Sequence, residues 1–94
     1  MIESFKCKET AKIWEGTVSK KLPRDIQQLA RRKLRIMNNV KCLNDLRLPP
    51  SNHLELLKGN RKGQYSIRIN KQWRICFCWG ACNSITNVEI VDYH

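Results

Sequence analysis

The chain ends in three residues whose side chains suit proton transfer and base stacking: Asp92, Tyr93 and His94. A histidine titrates near neutral pH, and a tyrosine ring can stack on an unpaired base. A terminal histidine in isolation is usually frayed and inert. Here, however, a predicted strand over residues 85–91 precedes the three residues and would carry them towards a basic face.

The alternation of residue types in two neighbouring strands predicts that basic face. If Trp73, Ile75 and Phe77 face the core, Arg74 points to the opposite side of the sheet. Arg68 in the preceding strand points the same way. Such arginines suit a phosphate backbone, because a guanidinium can grip a phosphate through two parallel hydrogen bonds. The cations of the adjoining turns are further candidates for phosphate binding: Lys58, Arg61, Lys62 and Lys71.

These groups include every residue type that cleavage of RNA without a metal ion requires. That reaction needs a base for the ribose 2′-OH, an acid for the leaving 5′ oxygen and cations for the charge that develops at phosphorus. The eight acidic residues are scattered, so no carboxylate cluster for catalytic magnesium is expected. No cofactor is expected either, because phosphate-loop, dinucleotide-binding and zinc-peptidase patterns are absent.

Length and charge limit the class of protein further. The 94 residues predict one domain, spanning 1–94, with one modest core. Eighteen Lys and Arg against eight Asp and Glu give a formal charge of +10, which attracts polyanions such as nucleic acid or an acidic protein partner. No export signal or membrane span is recognised. We therefore expect a cytoplasmic protein without a membrane partner.

The five cysteines do not predict a disulfide framework or a metal site. Their number is odd and no export signal accompanies them. Cys76, Cys78 and Cys82 lack zinc-site spacing, and neither histidine is near them in sequence. We interpret the thiols as small hydrophobic groups and expect no metal.

Periodicity predicts helices first and a sheet second. A short strand over residues 1–8 precedes a helix over 10–19. The clearest helix begins at Pro23 and continues to about residue 40, with an apolar stripe that includes Leu29, Ile36 and Lys33 and an arginine-rich side that includes Arg31. Antiparallel strands follow, over residues 54–57, 65–69, 73–79 and 85–91. This order is typical of the α+β class, with helices packed on one face of the sheet.

Several stretches of sequence carry a family likeness. Residues 56–70 read LLKGNRKGQYSIRIN, residues 72–77 read QWRICF, and the chain opens with MIESFK and closes with VEIVDYH. Together these segments cover nearly the whole chain in order. As a set they resemble HigB-type plasmid-maintenance killer proteins of the RelE/ParE toxin superfamily.

The resemblance implies a fold and an activity. The fold would be RelE-like, with an N-terminal strand and two helices packed on a small antiparallel sheet. The activity would be that of a type II toxin, a ribosome-dependent endoribonuclease that cuts messenger RNA in the aminoacyl site. A HigA-type antitoxin with a helix-turn-helix would neutralise it. Operator DNA would be bound only through the toxin–antitoxin complex.

The family motifs also imply roles for individual residues. The lysine of the LKG motif falls on Lys58 and the arginine of the WRI motif on Arg74, and both would stabilise phosphate. His94 would be a general acid or base. Tyr93 would stack on a base, and Asp92 would orient a partner or accept a proton.

At one position the sequence differs from a branch of the family. In that branch a second histidine lies three residues before the motif lysine. Glu55 occupies that position here, and His53 lies two residues earlier. Glu55 could act as a base, His53 could reach the site, or fewer groups could suffice. We interpret His53 as a solvated loop residue.

Two other functions remain open at this stage. The ParE branch of the superfamily acts on DNA gyrase rather than RNA, although such a binder needs no proton-transfer groups. A non-catalytic RNA-binding module would instead use the basic helix at residues 31–35 as its reading surface. A role on a membrane surface is the least favoured, because the apolar side of that helix lacks aromatic anchors.

Overall fold

Two helices precede a four-stranded sheet. The computed structural model describes residues 1–92. Helix α1 spans Lys8–Glu15 and helix α2 spans Arg24–Asn39. Short 3-10 turns lie at Leu43–Arg47, Pro50–Asn52, Gly59–Arg61 and Ala81–Asn83. The strands are β1 (Glu55–Leu56), β2 (Tyr65–Arg68), β3 (Trp73–Trp79) and β4 (Ile85–Asp92). The predicted α+β class is confirmed.

The sheet is an antiparallel meander in the order β1-β2-β3-β4. Its register places Ile67 opposite Ile75 and Ile75 opposite Ile90. All three side chains are buried in the hydrophobic core, together with Phe77. Because side chains alternate along a strand, the residues between them face away from the helices. The predicted division of β3 into a core side and a second side is therefore present.

The N-terminal segment is less regular than the predicted strand. It forms two isolated parallel bridges with β4, Ile2 with Ile85 and Phe5 with Val88. Between these bridges, the backbone N–H of Asn87 donates to the hydroxyl of Ser4 rather than to a backbone carbonyl. Asn87 has a positive φ of 54°, which interrupts continuous pairing. The segment nevertheless covers the outer edge of β4.

Helix α1 ends at Gly16, earlier than the sequence predicts. Gly16 has φ +90° and its N–H donates to the carbonyl of Ile13 at 3.1 Å. Glycine adopts this left-handed conformation without steric cost and commonly ends helices. The residues that follow, up to the buried Ser19, form a connection rather than a further helical turn.

The faces of helix α2 differ from the prediction at four positions. Leu29 and Ile36 are 37% and 41% exposed, so they lie outside the core. Lys33 lies between the two sides, and its ammonium donates to the side-chain oxygen of the buried Asn52. Burial lowers the pKa of this ammonium. Arg31, expected in solvent, is half-buried. The core side of α2 is formed by Ile26, Ala30, Leu34 and Met37.

A buried hydroxyl completes the outer edge of β4 and gives a testable prediction. The hydroxyl of Thr10, which is fully buried, accepts the N–H of Ile90 at 3.0 Å. Thr10→Val keeps the shape but leaves that N–H without an acceptor. We expect a loss of about 1–3 kcal/mol of unfolding free energy, measured by urea denaturation. Thr17→Val, at an exposed position, is the control, and an equal effect of both changes would contradict this explanation.

Candidate functional site

Arg74, the second residue of β3, lies on the sheet face that points away from the helices. Its Nε donates to the hydroxyl of Ser66 at 2.8 Å, and its Nη2 donates to the backbone carbonyl of His53 at 2.6 Å. Nη2 also lies 3.7 Å from a carboxylate oxygen of Glu55. Arg74 is only 7% exposed. The sequence predicts an open arginine here, whereas the structure holds it in a fixed position among its neighbours.

Strand register forms a row of side chains beside Arg74. Glu55, Ser66, Cys76 and Glu89 lie opposite one another across the four strands. Residues directly opposite each other in an antiparallel sheet share a face, so the row places a carboxylate on each outer strand and a buried hydroxyl and thiol between them. Glu89 was not predicted as a site residue. Its position opposite Cys76 could have been found only from the register of β4.

Arg68 and Arg74 lie directly opposite each other on β2 and β3. Side chains in such a pair start roughly 4.5–5.5 Å apart, and like charges there destabilise the sheet. The carboxylate of Glu55 offsets part of this charge. Two arginines on one face of a sheet suit an anion such as a phosphate.

A buried amide fixes the loop that supplies one partner of Arg74. The side-chain nitrogen of Asn52 donates to the carbonyls of Leu46 (3.2 Å) and Leu48 (3.1 Å). The next residue, His53, adopts the left-handed conformation with φ 46°, and its carbonyl accepts from Arg74. The side chain of His53 is exposed, as its interpretation as a loop residue predicts. The contribution of His53 to the site is therefore its backbone.

Arg61 is engaged by protein rather than left open for phosphate. Its Nη1 lies 3.1 Å from a carboxylate oxygen of Glu89 and 3.3 Å from the side-chain oxygen of Gln64. The predicted role of Arg61 in RNA binding would therefore require it to exchange Glu89 for a phosphate. In the free protein, the pair joins the β1–β2 connection to β4.

The remaining turn cations divide between two ends of the sheet. Lys58 and Lys62 lie in the connection from β1 to β2, and Lys71 lies in the connection from β2 to β3. All three are exposed. Connections of a meander alternate between its ends, so these lysines border the Arg74 face at opposite sides. A strand of nucleic acid that crosses this face could contact both groups.

The C-terminal candidates are only partly described. Asp92 is opposite Trp73 in the register, and its carboxylate accepts from the side-chain amide of Gln72 at 3.0 Å. This places Asp92 at the same end of the sheet as Arg68. By strand alternation, it does not share the face of Arg74. Tyr93 and His94 lie outside the described residues.

Comparison with known families decides which class of protein carries this arrangement. A family model described as "RelE-like toxin of type II toxin-antitoxin system HigB" matches residues 3–94. The chain belongs to the HigB-like toxin family. The expected resemblance is thereby confirmed, and the protein is a RelE-like toxin of a type II toxin–antitoxin system.

Individual relatives agree with this assignment. The protein "Toxin HigB-1" of Vibrio cholerae serotype O1 is 41% identical to this toxin over 80 residues, which is 84% of each chain. An uncharacterized protein of Haemophilus influenzae is 42% identical over 79 residues, which is 84% of this chain and 76% of that protein.

Solved structures show the same fold at low sequence identity. YafQ from Escherichia coli has a TM-score of 0.60 and 15% identity, and the match covers 98% of this chain and 91% of YafQ. A heterotetrameric YoeB–YefM toxin–antitoxin complex from Staphylococcus aureus contains a chain with a TM-score of 0.61 and 20% identity, covering 100% of this chain and 95% of that chain. The predicted RelE-like fold is therefore confirmed.

Two further findings concern the described part of the toxin. Within residues 1–92, no helix is long and apolar enough to cross a membrane. The same residues contain no group of three or more His, Cys, Asp or Glu side chains placed to hold a metal ion.

The thiol at the centre of the site, that of Cys76, has low reactivity. Cys76 is fully buried between Ser66 and Glu89, and burial raises the pKa of its thiol. The thiolate is the reactive form of cysteine. Cys76 therefore fills space in the sheet rather than acting as a nucleophile.

We expect the cysteines of the native toxin to be alkylated at different rates. At pH 8, Cys42 and Cys82, which are exposed, should react with iodoacetamide well before Cys76. Peptide mass spectrometry at increasing times gives the order, and the unfolded toxin in guanidinium is the control in which all thiols react alike. Early labelling of Cys76 would show that its side chain is open and ionised.

Proposed function

We propose that this toxin is an endoribonuclease that cuts messenger RNA on the ribosome without a metal ion. The supporting observation is the fixed Arg74 guanidinium directly opposite Arg68 on one sheet face. A rigid cation that is in place before the substrate arrives stabilises transition-state charge without reorganisation. Two arginines on one face favour an anion such as a phosphate at this point, and family membership makes RNA the expected source.

The proposed reaction is an attack of the ribose 2′-OH on the adjacent phosphorus. The 2′ oxygen forms a bond to phosphorus while the bond to the leaving 5′ oxygen breaks. A base takes the 2′-OH proton and an acid delivers a proton to the 5′ oxygen. Arg74 and Arg68 would stabilise the charge on the phosphoryl oxygens, with Lys58, Lys62 and Lys71 contacting the flanking backbone. His94 would serve as general acid or base, and Tyr93 would stack on an adjacent base.

Glu55 is the carboxylate best placed to act as the second proton-transfer group. Its side chain is 48% exposed and approaches Arg74 to 3.7 Å. It can therefore meet both solvent and a substrate bound at Arg74. Asp92 would orient a partner, since its carboxylate accepts from Gln72 and its register position faces away from Arg74.

The partners follow from the same proposal. A HigA-type antitoxin with a helix-turn-helix would neutralise the toxin, and operator DNA would be bound only by the complex. The substrate would be messenger RNA in the aminoacyl site, which places the action of the toxin where ribosomes translate, in the cytoplasm. Residues 1–94 would act as one domain.

Primer extension on a defined message tests the activity. We expect wild-type toxin to cut only when ribosomes translate the message, and His94→Ala to abolish cutting. Cutting that survives in His94→Ala would keep the endoribonuclease proposal and direct the search for the proton-transfer groups to Glu55, Lys58 and Tyr93. If wild-type toxin arrests growth but never cuts RNA, with or without ribosomes, the endoribonuclease proposal is wrong and a target such as gyrase is favoured.

Substitutions on the sheet face test the role of the arginine pair. Arg68→Gln should lower the single-turnover cleavage rate by roughly 10- to 1000-fold, because it removes a stabilising cation from the reacting phosphate. Arg35→Gln removes the same charge from an exposed position on α2 and should leave the rate unchanged. Circular dichroism checks that both variants fold. Equal rate losses in the two variants would mean that only the overall charge matters.

A further inference from the structure

The helix side of the toxin holds a cavity that the proposed RNA site does not use. It has a volume of about 310 Å³ and lies between the end of α1 and the first half of α2. Its lining includes Ile13, Gly16, Val18, Arg24, Gln28 and Arg31. These helices pack on the face of the sheet opposite to Arg74, so the cavity and the candidate RNA site open on different sides.

Arg31 is the unsatisfied group of this cavity. Within residues 1–92, its Nε is a buried nitrogen that has no hydrogen-bond partner. A buried donor without an acceptor is costly, and more so when it carries charge. Arg24 also lines the cavity, so two guanidinium groups border a space that contains no carboxylate from the lining of the toxin.

Gly16 makes room for the Arg31 guanidinium. A Cβ at position 16 would lie 2.9 Å from Nη2 of Arg31 and 3.2 Å from its Cζ. Any side chain there would push the guanidinium away, in addition to being strained at φ +90°. The end of α1 therefore packs close to the guanidinium of Arg31.

Gln27 holds the wall of the cavity in place through hydrogen bonds that use both its side-chain oxygen and its side-chain nitrogen. Its side-chain nitrogen donates to the carbonyls of Ser19 (2.9 Å) and Leu22 (2.8 Å), and its side-chain oxygen accepts the N–H of Ser19 at 3.0 Å. The α1–α2 connection is thus held before any ligand arrives. The polar atoms of Gln27 are therefore occupied, whereas the Nε of Arg31 has no hydrogen-bond partner within residues 1–92.

We propose that this cavity binds an acidic side chain of the antitoxin, with its carboxylate on Arg31 and Arg24 and its aliphatic part on Ile13 and Val18. Arginine and carboxylate match in shape and can form two parallel hydrogen bonds. Ile13 and Val18 supply apolar contact that a nucleic-acid backbone would not use. The proposal rests on membership of a toxin–antitoxin family and is independent of RNA cleavage, because antitoxin binding is measured without any substrate.

Position 28 allows a sharp test, because a carboxylate introduced there lies one helical turn from Arg31. Gln28→Glu would supply the missing acceptor from within the toxin. We expect this variant to keep or raise the stability of the free toxin while it weakens binding of the cognate antitoxin by about 10- to 100-fold. Arg31→Gln should weaken binding to a similar extent. Arg32→Gln removes one charge from an exposed position on the same helix and is the matched control.

Calorimetry with the purified antitoxin gives the affinities, and NMR of toxin labelled with ¹⁵N-arginine follows the Nε–H signal of Arg31. A large shift of that signal on complex formation, with weak binding by Gln28→Glu and Arg31→Gln but not by Arg32→Gln, would support the proposal. Equal losses of antitoxin affinity in all three variants would mean that only the overall charge matters, which would overturn the proposal. Unchanged affinities would overturn it as well. If Arg31→Gln lowers RNA cleavage but not antitoxin affinity, the cavity serves RNA and the proposal is wrong.

Discussion

The burial of the Arg74 guanidinium is the constraint around which the sheet face is built. A charge removed from water needs partners that replace its hydration. Ser66 on β2, the carbonyl of His53 and the carboxylate of Glu55 supply them. These partners come from two segments of the sequence, so the loop before β1 and the register of β2 must both be correct for Arg74 to be stable. The geometry of the candidate site and the stability of the sheet are therefore linked.

The loop before β1 shows how that link extends to the helices. The buried Asn52 joins the carbonyls of two preceding residues to the ammonium of Lys33 on α2. The backbone of His53 follows directly and contacts Arg74. A polar network of this kind costs stability when one member is lost, because the other members remain buried without partners. It also explains why Lys33, which lies half-buried between the two sides of α2, falls within the apolar stripe that the sequence predicts.

Sequence alternation was sufficient to predict β3, the face of Arg74 and its neighbour Arg68, because a period of two needs no tertiary information. It could not predict that Arg74 is buried, since its cover comes from His53 and Glu55 in another segment. The N-terminal strand and the length of α1 were overestimated for two reasons: the positive φ of Asn87 in β4, which interrupts the pairing, and the left-handed Gly16. Glu89 was missed because its pairing with Arg61 depends on register across the whole sheet. The role of Glu55 and the contributions of Tyr93 and His94 stay predictions.

Arg74 and Arg31 illustrate two ways in which a strongly basic chain uses buried guanidinium groups. The surroundings of Arg74 supply a hydroxyl, a carbonyl and a carboxylate, so its position is fixed before any ligand binds. Arg31 borders a cavity whose wall is held by the hydrogen bonds of Gln27, but its Nε has no acceptor among residues 1–92. A group of the first kind suits catalysis, which requires preorganisation of charge. A group of the second kind gains most from a partner, because binding supplies the hydrogen bond that the free protein lacks. The contrast matches the two proposals, in which one face carries a preorganised cation for the substrate and the other an unsatisfied donor for the antitoxin.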